Sequence, residues 1–221
     1  MWHTFGCLDN FCNFAPLFII VDRMDIQQIK DVACRHQKRA TAILDDIRII
    51  EICEHLGCRV NLVGSLRMGL LVNHKDIDLH IYSKHLTVAF SFEVISKIAS
   101  HPNVLEAHCI NGLDTDERCI EWHLKYRDVD DEIWQIDIIH IEEGSKYDGY
   151  FERMADRICE IITPEQSEVI LKLKYQACMK SDIHGAEIYE AVIEEGIEDF
   201  EELTNWVKQR RLADPYFWSP K

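Results

Sequence analysis

Apolar residues recur at helical spacing through residues 25–56, at Ile29, Val32, Ala33, Ala40, Ile43, Leu44, Ile47 and Ile50. The pattern predicts one long or broken amphipathic helix that ends at Gly57, a natural C-cap. A short β-rich run with Val60, Leu62 and Val63 follows, then a Gly64-Ser65 turn and a short helical piece up to Val72. Over residues 76–82 the period changes to two: Ile77, Leu79 and Ile81 fall on one face, Asp76, Asp78, His80 and Tyr82 on the other. This predicts a half-buried strand. Residues 85–100 read as a helix, and 104–111, 118–127 and 133–141 as strands joined by turns rich in Gly and Asp.

After Gly144 the pattern is helical. Asp148 is placed to cap a helix running to about residue 162. Thr163-Pro164-Glu165-Gln166 has the form of a helix start, with Pro at N1 and Gln at N3, and that helix runs to about Lys180. A third helix is expected over residues 186–211 with a kink at Gly196, before an irregular tail over 212–221. The fold class expected is α+β: a mixed β-sheet flanked by helices, with a helical C-terminal region. The boundaries expected are an N-terminal arm over 1–24, a core over 25–145 and a helical region over 146–221 packed on that core.

Composition is that of an ordinary globular chain of 221 residues, with 47% hydrophobic residues, nine Gly and five Pro. No repeat or low-complexity linker interrupts it. Residues 11–21 are apolar but too few to span a bilayer, and no basic region precedes them as a signal peptide requires, so no membrane partner is expected. Nine cysteines without a secretory signal fit reduced thiols and a cytoplasmic setting. Cys53-x-His55-x-x-Cys58 lacks a second ligand pair, and buried thiols explain it better than zinc. The net charge of −15 includes eight acids and no base over residues 187–202. A protein that grips polynucleotide clusters its Lys and Arg, so no long nucleic acid partner is expected. The acidic run reads as a solvated helix face, or as a wall that attracts a cationic acceptor.

The chemistry concentrates in residues 62–80. A strand delivers Gly64 and Ser65 into a helix start, where unpaired N–H groups favour an anion. Glycine lets the backbone approach a phosphate, and the Ser65 hydroxyl can donate to it. The next strand presents Asp76 and Asp78, two residues apart and therefore on one face. Two carboxylates together are costly in a dry core but suited to a cation; Mg2+ takes a few carboxylates plus phosphate oxygens. A phosphate cradle beside a metal-binding pair outlines a phosphoryl or nucleotidyl transfer site.

These residues resemble the polymerase-beta-like nucleotidyltransferase superfamily, whose hallmark is a Gly-Ser turn followed by Asp-x-Asp on the next strand. Ten residues separate Ser65 from Asp76, as in its small stand-alone, antibiotic-nucleotidyltransferase-like members, and Gly69 falls where many members carry a second glycine. Lys75 departs from the Ser or Thr that commonly precedes the first Asp. The order of elements extends the likeness over residues 40–145, making 25–145 a nucleotidyltransferase core.

The resemblance implies a third carboxylate on a later strand. Asp137, in the otherwise apolar run Ile136-Asp137-Ile138-Ile139, is the candidate, with Glu121 the alternative on a face shared with His123 and Lys125. It implies that Asp76 and Asp78 bind Mg2+ or Mn2+ and the triphosphate, and that Asp137 completes the metal site and takes the proton of the attacking hydroxyl. Arg67, Lys172 and Lys174 are further candidates for triphosphate contact, and His80 could line the cleft. The function implied is transfer of a nucleoside monophosphate from a nucleoside triphosphate to an acceptor hydroxyl, a small and cationic acceptor being favoured by charge. The alternative is a non-catalytic nucleotide-binding or interaction protein on the same fold, against which the three intact carboxylates argue.

Overall fold

The computed structural model describes residues 24–180, 182–213, 218 and 220. The N-terminal arm before Met24 and most of the expected tail lie outside them. The chain folds into two compact units. One is Val32–Thr163 and holds the sheet; the other joins the chain up to Asp31 with Pro164–Lys221.

The sheet unit contains most of α1 (Ile26–Ile47), then α2 (Ile49–His55), β1 (Arg59–Leu62), α3 (Gly64–Arg67), β2 (Asp76–Ser83) and α4 (Val88–Ala99). Strands β3 (Val104–Gly112), β4 (Cys119–Arg127) and β5 (Ile133–Glu142) and helix α5 (Tyr150–Ile161) complete it. The break expected somewhere in the first helix falls at Arg48, which is left-handed at φ 59°. Buried Ile47 and Ile49 flank it, so the apolar stripe continues through the bend, and burial of those side chains offsets the roughly 1–2 kcal/mol of a non-glycine residue in that region.

The strands lie in the order β1-β2-β5-β4-β3. Only β2 and β5 run parallel; the other neighbours are antiparallel, so the sheet is mixed as expected. One face is largely apolar, with Ile77, Leu79 and Ile81 of β2, Ile120, Trp122 and Leu124 of β4, and Trp134, Ile136 and Ile138 of β5, and ends in a buried polar pair, His140 and Ser83. Ala40, Ile43, Leu44 and Ile47 of α1 and Val94, Ile95 and Ile98 of α4 close this core. The opposite face carries the alternate, polar positions. At its β1–β2 end it packs against α5, where Tyr82 joins a smaller cluster with Cys119, Ile141 and Tyr147, bordered by Tyr150 and Phe151.

Helix α5 is not capped by Asp148, as the sequence led us to expect. Its N-cap is Gly149 in the left-handed region, and the Asp148 carboxylate accepts from the Gly144 amide at 2.8 Å and pairs with Arg59. These two partners occupy the carboxylate that would otherwise cap the helix.

The second unit contains α6 (Pro164–Lys180), α7 (Gly185–Glu195) and α8 (Phe200–Ala213). Gly196, at φ 68°, ends α7 as a left-handed C-cap, so the expected kinked helix is two helices. The acidic run is only partly a solvated face. Glu187 is buried and accepts from Arg211 Nε at 2.6 Å, while Glu190 accepts from Arg210 at 3.2 Å. No helix of the described residues is long and apolar enough to cross a membrane.

Candidate active site

The polar face of β2 meets the β1–α3 turn at Asp78. Pairing of β1 with β2 extends one residue past Leu62, the Val63 amide donating to the Asp78 carbonyl at 3.1 Å, and this sets Gly64 beside the Asp78 side chain. Gly64 has φ +63°, and a β-carbon there would lie 2.0 Å from Asp78 Oδ2 and 2.7 Å from its Cγ. Both conformation and contact demand glycine. The helix that follows is only four residues long, so its dipole adds little to anion binding, contrary to the emphasis a sequence reading places on it.

Register then assembles the carboxylates. In the parallel β2–β5 pair, Asp78 is opposite Asp137 and Asp76 opposite Gln135. Register partners in a sheet point the same way, so Asp76, Asp78 and Asp137 share the polar face, each half-buried. Asp76 Oδ1 is buried without a hydrogen-bond partner. An orphaned carboxylate oxygen on a face shared with two further carboxylates suits a divalent cation, since such an atom otherwise loses its hydration without return. Among the described residues the ligand atoms that already converge within 4.8 Å are those of Glu117, Cys119 and Glu121 instead.

Asp137 is held from two sides. His123 of β4, its antiparallel register partner, approaches Oδ1 with Nδ1 at 2.6 Å. Gln135 Nε2 donates to both Asp137 oxygens at 2.9 Å, and Lys125 in turn donates to Gln135 Oε1. The hydrogen bond to Asp137 raises the pKa of His123 above its ordinary value, against an opposing effect of burial. Glu121 lies on the same face one step along β4, opposite Ile139 rather than an acid of β2 or β5, and burial raises its pKa. His123 and Gln135 were not singled out from sequence. Their alternation with apolar neighbours was visible, but the strand pairing that turns them toward Asp137 was not.

The remaining candidates make other contacts. Arg67 donates through Nε (2.9 Å) and Nη2 (2.7 Å) to Asp156 of α5, and through Nη1 to the Leu62 carbonyl at 3.0 Å. His80 is packed rather than cleft-lining: its Nδ1 lies 3.2 Å from the Tyr82 hydroxyl, its ring meets Phe151 edge-on, and burial lowers its pKa to about 4. Lys172 and Lys174 are on α6, in the other unit. Lys172 is exposed; Lys174 is buried and donates to the Tyr189 hydroxyl at 3.0 Å. Cys53 and Cys58 are buried free thiols, burial pushing Cys53 up to about 12.

The mixed five-stranded sheet flanked by helices is the nucleotidyltransferase-like α+β fold expected, and solved structures share it. Cid1, described as a poly(U) polymerase and as an RNA terminal uridylyl transferase, superposes with a TM-score of 0.52 at 14% identity, over 72% of this chain and 46% of its own. A cytoplasmic RNA terminal U-transferase superposes with a TM-score of 0.52 at 13% identity, over 79% and 50%. The GLD-2/RNP-8 complex gives 0.50 at 14% identity, over 76% and 64%. The chain thus spans about half the length of most of the structures it matches. No family model and no curated protein matches the sequence.

One expectation is overturned here. Net charge had excluded a long nucleic acid partner, but the neighbours of this fold are described as acting on RNA ends, so that exclusion does not stand. Charge summed over the chain does not say where the charge lies; in the acidic run itself, Glu187 and Glu190 are paired with Arg211 and Arg210 rather than presented to solvent.

Proposed function

We propose that this chain is a nucleotidyltransferase that moves a nucleoside monophosphate from a nucleoside triphosphate to an acceptor hydroxyl and releases pyrophosphate. The observation that carries this reading is the register pairing of Asp78 with Asp137 on the face where Asp76 leaves a buried oxygen unpartnered.

Asp76, Asp78 and Asp137 would hold Mg2+ or Mn2+, which when bound supplies Lewis-acid stabilisation of the charge developing on the phosphoryl oxygens. Asp76 and Asp78 anchor the nucleotide-bound cation. Gly64 keeps the turn clear of any side chain where triphosphate oxygens pass, and the Ser65 hydroxyl is positioned next in chain to donate to one of them. Asp137 receives the proton of the attacking hydroxyl, and its orientation for that role is fixed by His123 and Gln135. Arg67, committed to Asp156, braces the turn against α5.

The test is incubation with each labelled nucleoside triphosphate, Mg2+ or Mn2+, and acceptors that include oligoribonucleotides, nucleosides and aminoglycosides. Product is read as pyrophosphate release together with an acceptor mass increase of one nucleoside monophosphate. Metal-dependent triphosphate binding with no product from any acceptor would favour a non-catalytic nucleotide-binding protein. Absence of metal-dependent triphosphate binding would remove the reading altogether.

A further inference from the structure

The row of side chains that contains Asp78 and Asp137 does not stop at β5. Asp137 is the register partner of His123 on β4, and His123 is the register partner of His108 on β3. Asp78, Asp137, His123 and His108 therefore form one line across four strands on one face of the sheet. The two imidazoles at its far end are nearly parallel, 30° between planes and 6.1 Å between centroids. His108 is exposed and His123 half-buried, so both present ring surface to solvent.

The direction of this line matters only under the transfer proposed above, and the assignment of an acceptor site rests on that reading. Gly64 abuts Asp78 from the β1 side, while Asp137 lies on the β5 side. A triphosphate anchored at Asp78 with its leaving pyrophosphate over Gly64 and Ser65 departs toward β1. In-line displacement requires the attacking oxygen on the opposite side of the transferred phosphorus, over Asp137. The body of the acceptor then lies over β4 and β3, on His123 and His108.

We propose that His108 and His123 form the acceptor subsite and that they receive a nucleobase, so the acceptor hydroxyl belongs to a nucleoside. Flat, partly exposed aromatic rings hold bases by stacking, which tolerates any base because each has a π-face. The fixed charges on this face around the pair are the acids Asp137, Glu106 and Glu121, Lys125, whose ammonium is committed to Gln135, and Arg127 at the end of β4, so acids outnumber bases. Such a surface does not grip a phosphate backbone. Recognition is confined to the terminal nucleoside, and binding is only weakly dependent on salt. A polycationic small acceptor would find no flat ring to exploit these imidazoles.

The experiment measures binding of a fluorescent oligoadenylate to the full chain without triphosphate, competed by adenosine monophosphate and by an abasic oligomer of equal charge. Triphosphate-metal affinity is measured separately. We expect the oligoadenylate and the mononucleotide to bind and the abasic oligomer to bind far more weakly. Losing one stacking partner weakens binding by about 5- to 150-fold, so His108→Ala should do this, and His108→Phe should restore it. Triphosphate-metal affinity should not move in either variant. Equal affinity for abasic and base-bearing oligomers, or no change in His108→Ala, overturns the subsite. Oligomer binding that greatly exceeds mononucleotide binding and falls steeply with salt overturns the claim that the base alone is recognised. If triphosphate does not bind but the base still does through His108, the proposed transfer fails while the nucleobase site stands.

Discussion

A β-carbon on Gly64 would sit 2.0 Å from Oδ2 of Asp78, so the turn that would carry the triphosphate and the carboxylate that would hold its metal are in direct contact. Substitution at 64 must therefore displace Asp78 as well as crowd the phosphates, and a left-handed φ adds about 1–2 kcal/mol for any other residue. Gly64→Ala should keep its far-UV circular dichroism yet lose triphosphate-metal affinity by at least about tenfold, and Gly64→Val by more. Ser65→Ala removes only one donor and should cost roughly 1–3 kcal/mol of triphosphate affinity. Calorimetric titration decides. Unchanged affinity in a folded Gly64→Val would reduce the Gly-Ser turn to a mere turn.

The orphaned oxygen of Asp76 predicts how the protein responds to metal in the absence of nucleotide. A cation that binds the native carboxylates and not the unfolded chain raises stability by RT ln(1 + [L]/Kd), about 2.7 kcal/mol at a hundredfold excess over Kd. Mn2+ should raise the thermal midpoint of the wild type and have far less effect on Asp76→Asn or Asp78→Asn. Metal-free Asp76→Asn should melt at or above the wild-type temperature, because it removes the charge behind an oxygen that is buried without a partner and changes little volume. Should Mn2+ shift all three proteins equally, the carboxylates are not its ligands.

The expected strand over 76–82 is observed as Asp76–Ser83 because alternation is a local property, written in adjacent residues. Gly64 was legible for a similar reason, since its role follows from a backbone conformation few residues adopt. What sequence could not supply was pairing at a distance. That His123 faces Asp137 depends on the register between β4 and β5, and no residue near either records it. Arg67 illustrates the same limit from the other side. Its place after the Gly-Ser turn suggested phosphate, but Asp156 is 89 positions away in sequence and takes its donors in space. The reading of residues 187–202 as an acidic wall failed likewise, because Glu187 and Arg211 pair between separate helices.

Arg67 gives a sharp comparison. Its ion pair with Asp156 is partly exposed, 29% and 55% by side chain, and should be worth no more than about 1 kcal/mol. Arg67→Ala, which also loses the bond to the Leu62 carbonyl, should then destabilise somewhat more in denaturant than Asp156→Ala, with the double variant no worse than Arg67→Ala alone. Triphosphate affinity should change little in either. A large affinity loss confined to Arg67→Ala would mean that the guanidinium leaves Asp156 when nucleotide binds.

Asp128 is the place where acid should loosen the sheet unit. Burial alone would raise its pKa, but the amides of Glu132 and Asp130, the Trp134 indole N–H and the Arg39 guanidinium together hold it below the ordinary 3.8. A carboxylate depressed in the folded state stabilises above its unfolded pKa, and that contribution is lost as pH falls through the folded pKa. Urea unfolding should show wild-type stability falling below about pH 4. Asp128→Asn should be less stable at neutral pH and flatter in that acid range. Parallel curves for the two proteins would show that other acids govern the slope.

Asp137 separates catalysis from binding. It shares a face and a register position with Asp78, but unlike Asp76 both of its oxygens have donors, from His123 and Gln135. Such an acid is held ready to accept a proton in one orientation, whereas Asp76 and Asp78 would carry the nucleotide's metal. Asp137→Asn should therefore lower turnover by orders of magnitude while triphosphate-metal affinity changes by less than about tenfold. Gln135→Ala removes the donor that spans both oxygens and leaves the carboxylate, so it should lower turnover by a smaller factor and leave acceptor KM nearly unchanged. Asp76→Asn must behave differently, losing triphosphate affinity and turnover together. If Asp137→Asn instead loses triphosphate binding as fully as Asp76→Asn does, Asp137 serves the nucleotide metal and the proton goes elsewhere. Glu121, with a pKa raised by burial and its place beside His123 Nε2 at 3.9 Å, is then the acid to mutate next.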